Sequence, residues 1–137
     1  MILPNSKDAV HKAWLYRLLV KIYDQPELAA SFYFKGGTCA AMLGWLDRFS
    51  VDLDFDYVGE QKNLGTIRQA LEKVFTDLGL EIKDMSKQAP QYFLRYPAPK
   101  DARNTIKIDT TFPTPKFNVY KSYQLQDIDR VITCQTI

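Results

Sequence analysis

The chain has 137 residues and a formal net charge of +2, with 46% hydrophobic and 25% charged residues. This composition predicts one globular domain with a sizeable core, and so small a charge does not by itself indicate a nucleic-acid partner. The apolar runs are too short to span a bilayer, and the first residues lack the order of a secretory signal. We therefore expect a cytoplasmic protein with no membrane partner.

The first third of the chain predicts two helices, a short strand and a third helix. Apolar residues recur at helical spacing through residues 7–23, and Pro26 ends that helix before a short second one. The pattern then predicts a strand, a glycine turn and a helix, at residues 31–35, Gly36-Gly37 and 38–46. Cys39 lies in the apolar part of this last helix and is expected to be buried.

Strands dominate the rest of the chain. Alternating residues predict a strand from Val51 to Tyr57, and a regular apolar face predicts a helix over 62–78 that stops at Gly79. From there the period is two, which predicts strands at residues 80–84, 91–96, 104–112 and 130–137. This order of elements predicts an α+β fold, a mixed β-sheet with helices packed on it.

Three aspartates alternate along the strand from Val51 to Tyr57. Successive side chains of a strand point to opposite faces, so Asp52, Asp54 and Asp56 should share one face. Carboxylates packed together repel each other unless a positive charge lies between them, and a divalent metal with oxygen ligands is the simplest candidate.

The glycine turn upstream indicates what such a metal would carry. Gly36 and Gly37 allow backbone N–H groups to approach a ligand closely, and Thr38 opens a helix whose N-terminus favours anions. The two features together predict a site for phosphate and metal.

Other sites that use similar motifs are excluded by the pattern. A calcium loop that begins D-x-D-x-D needs glycine at its sixth position and glutamate at its twelfth, where this chain has Tyr57 and Asn63. A D-x-D-x-T phosphatase would have threonine where Asp56 stands. A Walker-type loop, G-x-x-x-x-G-K-[ST], is absent.

Further polar residues extend the pattern. Arg48 and Ser50 precede the aspartates, and Lys107 and Asp109 should share a face of the strand at 104–112. Each feature alone is commonplace, but their combined spacing is harder to dismiss. His11, the only histidine, has no second histidine with which to form a metal site, and we expect it at the border of the first helix's apolar face.

These residues resemble the AbiEii/AbiGii group of nucleotidyltransferase-like proteins. That group belongs to the DNA polymerase β-type nucleotidyltransferase superfamily and includes toxins of bacterial abortive-infection and toxin–antitoxin systems. The resemblance covers residues 32–112, and the motifs stand in the family's order: FKGGT at 34–38, R-x-S-x-D-x-D-F at 48–55 and K-x-D at 107–109.

The resemblance implies a metal-dependent nucleotidyltransferase. An acceptor hydroxyl would attack the α-phosphate of a nucleoside triphosphate (NTP) and release pyrophosphate, with Mg²⁺ or Mn²⁺ as cofactor. The catalytic and metal-binding residues would be Asp52, Asp54 and Asp109. The nucleotide-binding residues would be Lys35, Gly36, Gly37, Thr38, Arg48, Ser50 and Lys107.

The resemblance also suggests partners. The acceptor would be an RNA such as tRNA, or a protein, and a toxin of this kind would have a cognate antitoxin. The alternative is a catalytically silent or truncated module that binds nucleotide or a partner. Longer members continue into a helical C-terminal region, so residues 1–137 are predicted to form one nucleotidyltransferase-like domain that lacks it and that self-associates.

Overall fold

The computed structural model describes residues 6–47, 50–86, 88–98 and 103–136, which contain four α-helices and seven β-strands. The helices are α1 (Ser6–Tyr23), α2 (Pro26–Ser31), α3 (Gly36–Met42) and α4 (Leu64–Asp77). The strands are β1 (Phe32–Lys35), β2 (Leu53–Tyr57), β3 (Glu81–Met85), β4 (Tyr92–Arg95), β5 (Thr105–Thr111), β6 (Tyr120–Leu125) and β7 (Arg130–Gln135).

The strands form one mixed sheet in the order β3-β4-β5-β2-β1-β7-β6. At its centre β2 runs parallel to β5 and antiparallel to β1, and β1 runs parallel to β7. The expected fold, a mixed sheet with helices packed on it, is confirmed. None of the helices that the structure describes has the length and apolar character to cross a membrane.

The sequence pattern missed β6. Within the described residues, this strand lies at the edge of the sheet and pairs only with β7, through a hairpin that turns at Asp129 with a positive φ of 52°. Most of its side chains are exposed or half-buried, so it has no run of alternating apolar residues. Edge strands lack the strong burial signal by which strands are recognised in a sequence.

The predicted element boundaries are confirmed to within a few residues. The aspartate strand begins at Leu53 rather than Val51, and the third helix begins at Gly36 and ends at Met42. Gly79 has a positive φ of 74° just past the end of α4, as its predicted role as a helix stop requires. Cys39 is buried as expected.

The core lies between the sheet and the helices α1, α2 and α4, which contact one another. Phe55 occupies its centre: its ring stacks on Phe32 at a centroid distance of 4.3 Å and meets Phe34 and Tyr23 at 5.6 and 6.2 Å. Because side chains alternate along β2, the burial of Phe55 fixes which face of that strand carries Asp54.

The expectation for His11 was wrong. This side chain is fully buried, with Nδ1 2.7 Å from the Tyr96 hydroxyl and Nε2 2.8 Å from the Val51 carbonyl oxygen. Burial lowers the pKa of His11, since a charged imidazole is disfavoured away from water. The residue therefore ties α1 to the segment that leads into β2.

Phe55→Ala should lower the free energy of unfolding by about 3–5 kcal/mol, because it leaves a cavity among three aromatic rings. Urea denaturation checks this. Phe117→Ala is the matched control: Phe117 is 83% exposed, and its loss should change stability by less than about 0.5 kcal/mol. Equal losses in the two variants would contradict this account of the core.

Candidate functional site

A row of charged side chains crosses the face of the sheet opposite the core. Lys35 on β1 is paired with Asp54 on β2, and Asp54 is paired with Asp109 on the parallel strand β5. Neighbouring strands lie about 4.8 Å apart, and paired residues point to the same face. Two of the predicted acidic residues therefore stand side by side, although they are 55 positions apart in the sequence.

Asp52 lies one residue before β2 and is held from two sides. Its side chain accepts a hydrogen bond from the backbone N–H of Lys107 at 3.4 Å. Its carbonyl oxygen accepts a hydrogen bond from the Thr38 hydroxyl. Thr38 is buried, so its side chain fixes the backbone at Asp52, while the first turn of α3 lies beside the aspartates.

Gly36 makes the closest approach to the acidic group. It has a positive φ of 84°, and a Cβ atom added there would lie 2.5 Å from Asp54 Oδ2. Any side chain at this position would displace the carboxylate, and the left-handed backbone also disfavours one. Gly37 follows in the same turn of α3. Gly36 thus stands directly against Asp54.

The local charge destabilises ionised Asp54. Burial raises the pKa of this carboxyl, the negative charges of Asp109 and Asp52 raise it further, and Lys35 and Lys107 partly offset them. Both acidic neighbours therefore disfavour the ionised form of Asp54. The group carries an excess of negative charge that a cation would relieve.

Asp56 shares this face, as predicted, but does not join the open acidic group. It is fully buried, and its Oδ1 lies 2.7 Å from Lys35 Nζ. That contact is an ion pair without hydrogen-bond geometry. Its Oδ2 accepts hydrogen bonds from the Tyr120 hydroxyl at 2.6 Å and the Asn118 amide at 3.1 Å. The segment leading into β6 therefore covers Asp56.

The sequence analysis missed Gln91, Asn118 and Tyr120. Gln91 donates a hydrogen bond to Asp109 Oδ1 at 3.3 Å. The alternation of β4 could have indicated Gln91, because it places that residue on the same face as Phe93, opposite the buried Tyr92. For Asn118 and Tyr120 the sequence holds no comparable signal, since the segment before β6 is irregular.

Lys107, Ser50 and Arg48 are the remaining predicted residues. Lys107 is on β5 with its ammonium 6.0 Å from the centre of the Phe93 ring, and it acts electrostatically on Asp54. Ser50 is half-buried in the segment before β2. Arg48 lies outside the described residues.

The donor set suits a divalent cation of the Mg²⁺ type. Among the residues that the structure describes, no three acidic, histidine or cysteine side chains converge closely enough to hold one ion. Mg²⁺, however, is commonly bound through one or two carboxylates and the phosphates of its substrate, rather than by a protein cage. Asp54 and Asp109, adjacent and negatively charged, match that kind of site.

A pocket of about 270 Å³ opens beside the glycine turn. Lys35 and Gly36 line it on the side of the aspartates. Trp45, Gln135 and Thr136 line it elsewhere. The glycine turn thus borders a space that a ligand can enter, although none of Asp52, Asp54 and Asp109 is among its lining residues.

The chain belongs to the AbiEii family, described as nucleotidyl transferase AbiEii toxins of type IV toxin–antitoxin systems, whose model matches residues 17–137. This confirms the family that the motifs suggested. No curated protein matches the sequence.

Solved structures agree on the fold. JHP933 from Helicobacter pylori superposes with a TM-score of 0.58 at 21% identity, covering 98% of this chain and 54% of its own. A candidate nucleotidyltransferase from H. pylori gives a TM-score of 0.58 at 22% identity, with 98% and 56% coverage. The chain spans about half the length of these proteins.

Gly36→Ala should destabilise the fold more than Gly44→Ala. Gly44 has a similar φ of 81° but open space around it, so alanine there costs only the strained backbone, about 1 kcal/mol. At Gly36 the contact with Asp54 should add about 1–3 kcal/mol. Urea denaturation of the two variants measures the difference, and equal losses would mean that Asp54 moves aside freely.

Asp54→Asn should raise the free energy of unfolding at pH 7. Folded Asp54 binds its proton more tightly than the unfolded chain does, so stability falls as pH rises from the ordinary pKa of 3.8 through the raised folded value. Asparagine removes that loss, and the gain should disappear below about pH 4. Urea denaturation at both pH values checks the result.

Asp77→Asn is the matched control for this measurement. A hydrogen bond from Lys73 lowers the pKa of Asp77, so this substitution should slightly reduce stability at pH 7, the opposite sign. The explanation fails if both substitutions shift stability in the same direction.

Proposed function

We propose that this protein is a metal-dependent nucleotidyltransferase, which moves a nucleoside monophosphate from an NTP to a hydroxyl acceptor. One observation carries the proposal: Asp54 and Asp109 are paired on adjacent parallel strands, directly beside the left-handed Gly36. Membership of the AbiEii family supports the same reaction.

In this proposal the acidic residues hold the divalent cation, Mg²⁺ or Mn²⁺, and take part in the proton transfer. Asp54 and Asp109 would be the ligands, and Asp52 would add negative charge beside them. When bound, the cation would supply positive charge to the reacting phosphate and to the acceptor oxygen. Gln91 keeps the Asp109 carboxylate in place through its amide.

The phosphates of the NTP would lie along the glycine turn. The backbone at Gly36 and Gly37 has no side chain to obstruct an approaching phosphate, and Thr38 fixes that turn to Asp52. Lys107 and Arg48 would neutralise phosphate charge, and Ser50 would orient the aspartate strand or the triphosphate. Lys35 adds positive charge near Asp54, although its ammonium is held by Asp56.

The acceptor would be an RNA such as tRNA, or a protein, and the family supports a toxin with a cognate antitoxin. Nucleoside triphosphates are cytoplasmic metabolites, so the proposal places the protein in the cytoplasm. The second candidate is a module that binds nucleotide without transferring it.

Asp54→Asn should reduce Mg²⁺-dependent transfer of label from α-labelled NTPs to total RNA or protein at least about a hundredfold. The wild-type chain should transfer label from at least one of the four NTPs. Asp127→Asn is the control, because Asp127 is exposed and contacts Tyr16 far from the acidic group. Thermal stabilisation by an NTP without label transfer in the wild type would support the binding module. Undiminished transfer by Asp54→Asn would refute the assigned site.

A further inference from the structure

We infer that Asp56 is a positioning residue: it captures the ammonium of Lys35 and so keeps that cation from pairing with Asp54. The Asp54 carboxylate then stays open to a divalent cation. This inference rests on the proposed function, because it assumes that Asp54 takes part in cation binding.

Register alone would favour a different ion pair. Lys35 lies directly opposite Asp54 on the antiparallel strand, whereas Asp56 is its diagonal neighbour. Side chains directly opposite each other are the closer pair, and opposite charges there attract. Yet the Lys35 ammonium lies 2.7 Å from Asp56 Oδ1 and, within the described part of the chain, forms no ion pair with Asp54.

Burial explains why Asp56 holds Lys35. The Asp56 carboxylate is fully buried, whereas Asp54 is only half-buried. An ionised carboxylate removed from water needs a cationic partner, and losing that partner is far more costly inside the protein than near the surface. Lys35 therefore stabilises the fold more at Asp56 than it would at Asp54.

Neighbouring groups fix the captured geometry. The Lys35 ammonium also donates a hydrogen bond to Thr111 Oγ1 at 2.8 Å. On the other side of the carboxylate, the Tyr120 hydroxyl and the Asn118 amide hold Oδ2. The Tyr120 ring packs on Tyr33 at 5.0 Å, so the covering segment is anchored to β1 as well.

Capture has a direct consequence for the acidic group. If Lys35 turned to Asp54, its ammonium would neutralise one carboxylate of the row and occupy the space where a metal ion would bind. With Lys35 held at Asp56, its ammonium is not an ion-pair partner of the Asp54 carboxylate within the described residues, and the row keeps its negative charge. Asp56, the third aspartate of the strand, thus keeps the acidic group open to a cation without being a ligand itself.

A double-mutant cycle on Asp56 and Lys35 tests this, with MnCl₂ as the probe and free Mn²⁺ followed by electron paramagnetic resonance. The four proteins are the wild type, Asp56→Asn, Lys35→Gln and the double variant. Asparagine keeps an oxygen for the Tyr120 hydroxyl but no charge for Lys35. Asp54→Asn defines the binding that depends on the acidic group.

Asp56→Asn should weaken Asp54-dependent Mn²⁺ binding by roughly tenfold, because the released Lys35 pairs with Asp54. Adding Lys35→Gln to that variant should restore the affinity. In the wild type, Lys35→Gln should strengthen Mn²⁺ binding by less than about threefold, because a Lys35 held at Asp56 acts on Asp54 only through its charge. Simple addition of charges predicts instead that Lys35→Gln has the same effect in both backgrounds. That additive result would overturn the inference.

Two further variants complete the experiment, one as a control and one as a replacement. Asp77→Asn also frees a lysine, Lys73, on a distant helix, and should leave Mn²⁺ binding unchanged. Asp56→Ser, which is smaller, replaces Asp56→Asn if circular dichroism shows that the latter does not fold. If the wild type shows no Asp54-dependent Mn²⁺ binding, the proposed cation site fails and the inference with it. If that binding exists but is insensitive to both Asp56 substitutions, only the inference fails.

Discussion

The parallel pairing of β2 with β5 is the constraint on which the candidate site depends. It sets Asp54 beside Asp109 on the face of the sheet away from the helices α1, α2 and α4. Because side-chain orientation along a strand has a period of two, a shift of one residue in this register would move one carboxylate to the opposite face. The alternating buried residues of β5, Ile106 and Ile108, oppose such a shift because they would enter solvent.

The same face carries two kinds of acidic residue with different surroundings. Asp54 is half-buried and next to like charges, whereas Asp56 is enclosed and compensated by Lys35. The difference arises from Asn118, just before β6, and Tyr120, the first residue of β6, which cover Asp56 and leave Asp54 uncovered. One strand can therefore present an open carboxylate and a structural one two residues apart.

Much of this arrangement follows from local sequence patterns. Alternation in the strand from Val51 to Tyr57 was enough to place the aspartates on one face, and alternation around Asp109 gave its orientation. The order of the motifs, through the family resemblance, indicated that the strands carrying Asp54 and Asp109 lie close together. The glycine turn was recognised from its two glycines, although the specific reason for Gly36, its contact with the Asp54 carboxylate, is visible only in the structure.

The parts that could not be predicted depend on contacts between distant segments. Lys35 was predicted to bind phosphate, but its ammonium pairs with Asp56. That pairing depends on which aspartate is buried by the irregular segment around Asn118. His11 looked peripheral because a helical pattern does not reveal that Tyr96 and the Val51 carbonyl offer it hydrogen bonds. In each case a polar residue is buried by a partner that lies more than 20 positions away.

The sheet also explains how an unfavourable charge arrangement can persist. Ionised Asp54 is destabilised by its neighbours, and such strain survives only where the surrounding structure holds it in place. That support comes from the same strand: Phe55, the next residue, is clamped between Phe32, Phe34 and Tyr23 on the opposite face. A carboxylate on a mobile loop would move away from Asp109, whereas one on β2 cannot do so without disturbing the core. The free energy of aromatic packing therefore maintains the concentration of negative charge that a divalent cation would use.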